Sequence, residues 1–193
     1  PQGGEAGEQE AEAERGEGEM QRPQDRLAEG PSRSPARDAA ELRLLAVLLA
    51  MPESESLDGL RDVLPAAPWL APAVAELERL PLEHWQAEHT RLFISGYPRT
   101  PCPPFESAYR QGQMGGTTAS ELQGFYGRAG LTATEVPADY LGTLLECAAY
   151  LTDLAQERGE GAGDCPAAAL LVELWGDHLK RWLPRYARDL AEH

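Results

Sequence analysis

Apolar residues recur at helical spacing along most of this chain, and from residue 38 onward they are dense enough to build a core. The first such run, residues 42–49, is apolar on all sides and predicts a central, buried helix that Asp38 caps and Pro52 ends. Nowhere do four or more β-branched residues alternate with polar ones, so the pattern predicts no strand.

Further helices are predicted from the same spacing, with proline and glycine marking their ends. They cover roughly residues 56–63, 73–80, 82–94, 106–110, 120–130, 139–155 and 166–190. Pro184 lies inside the last of these and predicts a kink or a split there. The body is therefore expected to be an all-α, single-domain helical bundle of about seven to nine helices.

The N-terminal segment, residues 1–37, differs sharply from the rest. It is rich in Glu, Gly, Gln, Pro, Ser and Arg, and its only large apolar residues are Met20 and Leu27. Such a composition buries too little surface to offset the entropy of ordering. The prediction is a disordered acidic tail at 1–37, followed by the helical domain at 38–193.

A rigid loop follows the predicted helix at 82–94. Four of the nine residues 96–104 are proline, which excludes a helix or an interior strand. Aromatic residues cluster around this loop: Trp85, Phe93, Tyr97, Phe105, Tyr109, Phe125 and Tyr126. Most of them are expected in the core, and a few could line a groove for an amphipathic peptide.

Residues that carry catalytic or metal chemistry are sparse. His84 and His89 are five apart and so face different sides of a helix, while His178 lies on an apolar stripe where a hydrogen-bonded core histidine is expected. Cys102, Cys147 and Cys165 form neither a disulfide framework nor a zinc motif, and they fit reduced thiols. No catalytic residue, metal or cofactor is therefore predicted, and the chain is expected not to be an enzyme.

The net charge of −15 argues against nucleic acid as a partner. It would attract a basic segment, but acidity also favours solubility by itself, so the charge alone identifies no partner. The longest apolar run, residues 44–51, is much shorter than the roughly 20 residues that a membrane span needs. The N-terminus has no apolar segment typical of a secretory signal. A cytoplasmic protein without stable membrane insertion is expected.

Several motifs occur in an order that resembles the TorD/DmsD/NarJ family of redox-enzyme maturation chaperones. They are Leu92-Phe93 with Gly96, Pro103 to Tyr109 (PPFESAY), Phe125-Tyr126, Pro137-Ala138-Asp139-Tyr140, and His178 to Pro184 (HLKRWLP). Together they span roughly residues 41–190. One departure stands out, because this chain has Tyr140 where the family often has a histidine after the aspartate.

The resemblance implies a chaperone that binds the apo catalytic subunit of a molybdenum oxidoreductase. The bound part would be the twin-arginine signal peptide or the N-terminal region, and export or membrane attachment would wait until the molybdopterin cofactor is inserted. The residues expected at the peptide-binding groove are Phe105, Ser107, Tyr109, Asp139 and Tyr140, with Phe93 and Trp85 in support.

Asp139 has two interpretations, since it precedes a long predicted helix. It could cap that helix, which the sequence alone favours, or it could present a carboxylate to a guanidinium at the groove edge.

Two other function classes remain open from the sequence. One is a helical scaffold that binds another protein without signal-peptide specificity. The other, which the family resemblance suggests, is a guanine-nucleotide-binding accessory protein, and the lack of a phosphate-binding loop in the sequence argues against it. The oligomeric state is expected to be a monomer or a domain-swapped dimer.

Overall fold

The computed structural model describes residues 35–133, 136–157 and 166–193, and it is all-helical. The first helices are α1 (Pro35–Leu48), α2 (Ser56–Val63), a 3₁₀ turn (Pro68–Leu70) that leads into α3 (Ala71–Leu77), and α4 (Leu82–His89). The later ones are α5 (Glu106–Gln111), α6 (Thr117–Arg128), α7 (Leu141–Glu157), α8 (Pro166–Glu173) and α9 (Lys180–Glu192). These helices confirm the predicted fold class and helix number.

Two helices contain wider, π-helical turns. The first π turn (Thr90–Ile94) extends α4, and the second π turn (Leu174–Leu179) joins α8 to α9 without a break. α9 then continues through Pro184, so the helix is not split there as the sequence allowed. A proline removes one backbone hydrogen bond from a helix, and the neighbouring bonds of a long helix can hold its course.

The central helix is α7, and the prediction that the run at 42–49 is the buried centre was wrong. Eight of the seventeen residues of α7 are buried, whereas within α1 only Ala39 and Ala46 are. α1 packs along α7 on one side and against a small second core on the other, which leaves Leu45 and Val47 exposed. The apolar residues on all sides of α1 therefore indicate a helix that packs against two cores.

The main core collects residues from α1, α6, α7 and the α8–α9 helix, and its largest fully buried side chains include Trp182, Tyr126 and Phe125. The second core holds Ala67, Leu70 and Val74. All described residues lie in one compact unit, Arg33–His193.

The predicted boundary of the tail needs one correction. α1 begins at Pro35, so three of the residues assigned to the tail are helical, and Asp38 lies inside the first turn rather than before it. Residues 1–34, on which the remainder of the tail prediction falls, lie outside the described residues.

Gly96 begins the proline loop at a point where no side chain fits. A Cβ atom there would lie 2.6 Å from the Arg91 carbonyl oxygen, 2.7 Å from Pro101 Cδ and 2.9 Å from the Arg99 carbonyl oxygen. Two of these three atoms belong to the backbone, so the loop itself would have to move.

We expect Gly96→Ala to lower the free energy of unfolding by about 2 kcal/mol, the usual size of an overpacking effect. The matched control is Gly59→Ala in α2, because nothing lies within 4 Å of a Cβ atom at that position. The control should raise stability by about 0.5 kcal/mol through helix propensity. Urea unfolding measures both, and equal changes in the two variants would contradict the close approach at Gly96.

Candidate functional site

An open apolar groove lies where the end of α1, the first π turn, the proline loop and the start of α7 meet. Its volume is about 330 Å³. The residues that line this apolar groove are Leu49, Ala50, Met51, His89, Phe93, Ile94, Pro104, Phe105, Met114, Val136 and Tyr140. Three of the seven predicted site residues, Phe93, Phe105 and Tyr140, are therefore brought together on one surface.

One wall of the apolar groove is built by α4 and the first π turn. The rings of His89 and Phe93 meet edge to face, with centroids 5.0 Å apart. His89 Nε2 donates to the Leu49 carbonyl oxygen at 3.0 Å, since a carbonyl can only accept. The π turn, a geometry often found at functional sites, places Phe93 and Ile94 towards the groove.

The opposite wall is fixed by backbone bonds between the proline loop and the residues before α7. The Leu141 N–H donates to the Pro104 carbonyl at 2.8 Å, and the Glu106 N–H donates to the Asp139 carbonyl at 3.0 Å. These bonds form an isolated antiparallel bridge between Phe105 and Tyr140, whose rings are 5.6 Å apart. Backbone hydrogen bonds thus join the end of the loop to the residues at the start of the central helix.

Tyr140 connects this wall to the end of α1. Its hydroxyl donates to the Leu49 carbonyl oxygen at 2.8 Å, the same oxygen that accepts from His89. Burial, and then the nearby Glu146 carboxylate, raise the pKa of the Tyr140 hydroxyl, which keeps it protonated as this bond requires. The tyrosine that replaces the family's histidine is therefore part of the groove framework.

Ser107 and Asp139 do not line the groove. Both are fully buried, and the Asp139 carboxylate accepts from the Ser107 backbone N–H at 3.1 Å and from the Ser107 hydroxyl. The Ser107 oxygen in turn accepts from the Gly115 N–H at 2.8 Å. In the described structure Asp139 presents no carboxylate at the groove edge.

The interpretation of Asp139 as the cap of its own helix was also wrong. α7 begins at Leu141, and the Asp139 side chain instead bonds the second N–H of α5. Asp139 thereby supplies the capping acceptor that Phe105, the residue before α5, lacks. A carboxylate at the N-terminus of α5 is also favourable to the helix dipole.

Tyr109 and Trp85 are not part of the groove lining. The Tyr109 ring faces α9. Its centroid lies 5.3 Å from the centroid of the Trp182 ring and 5.9 Å from the centroid of the Tyr186 ring. Burial, followed by Asp189, raises the pKa of its hydroxyl. Trp85 is buried in α4.

A second buried polar group on α5 was not predicted from the sequence. Glu106 is fully buried, and its carboxylate accepts from Arg110 and from His178 Nδ1 at 3.0 Å. His178 is thus a hydrogen-bonded histidine of the core boundary, as predicted. Its partner could not be read from the sequence, because the two residues are 72 positions apart.

The Phe125-Tyr126 pair supports both polar clusters. The Tyr126 hydroxyl donates to the Ala138 carbonyl at 2.7 Å, directly before Asp139, and burial raises its pKa. The Phe125 ring lies 6.0 Å from the His178 ring. The separate sequence motifs therefore meet around the short helix α5.

The fold and the groove define a class of protein. It is an all-helical bundle, without strands over the described residues, in which the proline loop forms one wall of an open apolar groove. Residues 47–188 match the model of the family described as nitrate reductase delta subunit. The chain belongs to this family, which confirms the resemblance to TorD-, DmsD- and NarJ-type maturation chaperones.

Two individual proteins are similar to it. The chaperone protein YcdY of Escherichia coli K12 is 28% identical over 107 residues, which cover 55% of this chain and 50% of that protein. The chain thus spans half the length of this curated relative. A crystal structure from Archaeoglobus fulgidus, described as a redox enzyme maturation protein, superposes with a TM-score of 0.52 at 20% identity, covering 78% of this chain and 96% of that one. This likeness shows a shared fold.

Over the ranges that the structure describes, no helix is both long and apolar enough to cross a bilayer. Within those same ranges no three His, Cys, Asp or Glu side chains converge as a metal ion would require. Cys102 and Cys147 are buried, and burial raises the pKa of the Cys147 thiol to about 12.

Proposed function

We propose that this protein is a redox-enzyme maturation chaperone without catalytic activity of its own. Its client is the apo catalytic subunit of a molybdopterin-dependent oxidoreductase, recognised in the cytoplasm through its twin-arginine signal peptide or N-terminal region. Binding delays export or membrane attachment until the cofactor is inserted. The observation that carries the proposal is the apolar groove, in a chain that belongs to the family of such chaperones.

The rim of the groove carries large apolar side chains that a protein without a partner would be expected to cover. Ile94 is 57% exposed and Met114 is 64% exposed, and Met51 and Val136 are exposed beside them. Exposed apolar surface gathered at a concave site marks a binding surface. Methionine side chains adapt to different partners, which suits the apolar stretch of a peptide.

Charge supports a basic flank on that peptide. The net charge of −15 attracts cations and repels anionic lipid and nucleic acid. A segment with two arginines followed by apolar residues combines both properties, because the apolar part can enter the groove while the arginines remain near the acidic surface.

The groove is tested by placing a charge on its exposed rim. We expect Ile94→Glu to weaken binding of a synthetic peptide with two adjacent arginines and an apolar stretch of about 12 residues by at least about tenfold. The physical reason is that the bound peptide would bury the new carboxylate without a partner. Fluorescence anisotropy of the labelled peptide measures the affinity.

Val172→Glu is the matched control, because Val172 is a β-branched residue that is 73% exposed on α8, outside the groove lining. It should leave the affinity within about twofold. Equal affinities in Ile94→Glu and the wild type would refute the groove as the binding surface. Binding that persists when both arginines become glutamine would instead favour a helical scaffold without signal-peptide specificity.

A further inference from the structure

A second, polar depression lies on the other side of α5 from the apolar groove, with a volume of about 580 Å³. This polar pocket is formed by α5, α6, the second π turn and the ends of α8 and α9 that adjoin it. Its lining residues are Arg110, Glu121, Gly124, Phe125, Arg128, Glu173, Asp177, His178 and Arg181. In the described part of the chain, the first π turn thus supplies residues to the apolar groove and the second π turn supplies residues to the polar pocket.

Most of the charges in the polar pocket are already paired. Arg128 bonds Glu173 across α6 and α8, and Arg181 bonds Asp177 at 2.8 Å. Arg110 is paired with the buried Glu106 below the pocket. Each of these arginines therefore has a carboxylate partner, and an incoming anion would have to displace that carboxylate to bind the arginine.

The unpaired groups are acceptors. Glu121 forms no ion pair with any described residue, and its carboxylate lies at the rim. His178 is only 6% exposed, and its Nδ1 donates to the Glu106 carboxylate at 3.0 Å. In the neutral imidazole this leaves Nε2 with a free lone pair, for which no described residue supplies a donor.

The shape of the pocket floor leaves room for a planar group. Gly124 lies on α6 with nothing within 4 Å of a Cβ atom built on it, and the Phe125 ring is beside it. The guanidinium of Arg128 already lies over the Phe125 ring, 5.4 Å from its centroid. The Phe125 ring is itself fully buried beneath that guanidinium, so the groups that face the open space are the acceptors of Glu121 and His178. A guanidinium suits such a site because it donates several hydrogen bonds in one plane.

We infer that the polar pocket is a second binding site, and that it takes a guanidinium group which donates to His178 Nε2 and to the Glu121 carboxylate. The existence of this site is independent of the proposed function. The further inference, that the guanidinium belongs to an arginine of the client polypeptide, rests on the proposed function. Glu106 then acts as a positioning residue, because it fixes the tautomer of His178 and aims its lone pair at the ligand.

The position of α5 gives this site a specific relation to the apolar groove. Phe105 lines the groove, and the next residue, Glu106, holds His178 at the pocket. A polypeptide that fills the groove with its apolar part could place an arginine in the pocket around α5. The same chemistry could also come from a free guanidinium compound, so the test separates the two sources.

The small-molecule arm uses N-acetyl-arginine amide as the probe at pH 8, where imidazole is ordinarily neutral. We expect saturable shifts of the His178 ring resonances in NMR, and weaker shifts with N-acetyl-lysine amide, which cannot bridge two acceptors with a planar fork. Gly124→Leu fills the floor of the pocket and should lower the affinity for the arginine probe by at least about tenfold. Gly127→Leu is the matched control, since Gly127 is also on α6 with open space beside it, outside the pocket lining.

The peptide arm measures the same variants with the arginine-containing peptide described above. A loss of peptide affinity in Gly124→Leu alone would support the client arginine as the source. Unchanged peptide affinity with a lost small-molecule response would overturn the link to the client and identify a free guanidinium compound as the ligand.

Three results would overturn the site itself: no saturable His178 shift in the wild type, equal binding of the lysine probe, or an equal loss in Gly127→Leu. None of these would affect the groove, whose test depends on Ile94. Circular dichroism and thermal unfolding of both glycine variants establish that they remain folded.

Discussion

Replacing Glu106 by alanine is expected to lower the free energy of unfolding by about 3 kcal/mol, because it removes a fully buried carboxylate that both Arg110 and His178 contact. The His178 Nδ1–H would be left buried without an acceptor. The loss should lie at the lower end of the usual range for broken buried pairs, since the Arg110 side chain is 26% exposed and can turn to water. Urea unfolding with an unchanged m-value measures the effect.

Two further variants define what Glu106 contributes. Glu106→Gln keeps an amide oxygen that accepts from His178, so about half of the lost stability should return. Glu76→Ala on α3 removes an exposed acid with the same change in net charge and should shift stability by less than about 0.5 kcal/mol. A loss in Glu106→Ala no larger than that in Glu76→Ala would show that the buried network adds nothing to stability.

Replacing Asp139 by alanine should lower the free energy of unfolding by about 3 kcal/mol, because the Ser107 N–H and hydroxyl both lose their buried, charged acceptor. Asp139→Asn should cost about 2 kcal/mol, since its oxygen can accept from Ser107 while its NH₂ group enters a buried space where the present oxygen, Oδ1, has no described partner. Thermal and urea unfolding provide both values.

Peptide affinity distinguishes this role from a direct contact. If Asp139 acts by holding α5 in place, Asp139→Asn should retain wild-type affinity for the arginine-containing peptide at temperatures where it is folded. A folded Asp139→Asn protein with greatly weakened binding would instead show that the carboxylate reaches the ligand. Ser107→Ala completes a double-mutant cycle, in which the two losses should not add.

The two buried acid clusters explain how a six-residue helix can organise two open sites. α5 is too short to be stable alone, and its ends are fixed by Asp139 at the start and by the Glu106–His178 contact to the second π turn. Phe105 at one side and Arg110 at the other then line different sites. We expect changes at α5 to affect both the apolar groove and the polar pocket.

The sequence by itself determined the features that depend on local spacing. Helical periodicity, proline positions and the lack of alternating runs predicted an all-helical body, which the described helices confirm. The prolines also predicted a break in the helices before Phe105, and residues 96–104 contain no helix. The ordered motifs indicated the family, which the match over residues 47–188 confirms. Such features can be read from the chain because propensity and periodicity act within a few residues.

Only the tertiary structure decided which polar groups meet. Asp139 bonds Ser107, 32 positions earlier, and Glu106 bonds His178, 72 positions later. The sequence placed Tyr109 in the groove, whereas helix packing turns its ring towards α9. The physical reason is that spacing along a helix gives the direction of a side chain about that helix, while the partner it meets depends on how separate helices pack in space.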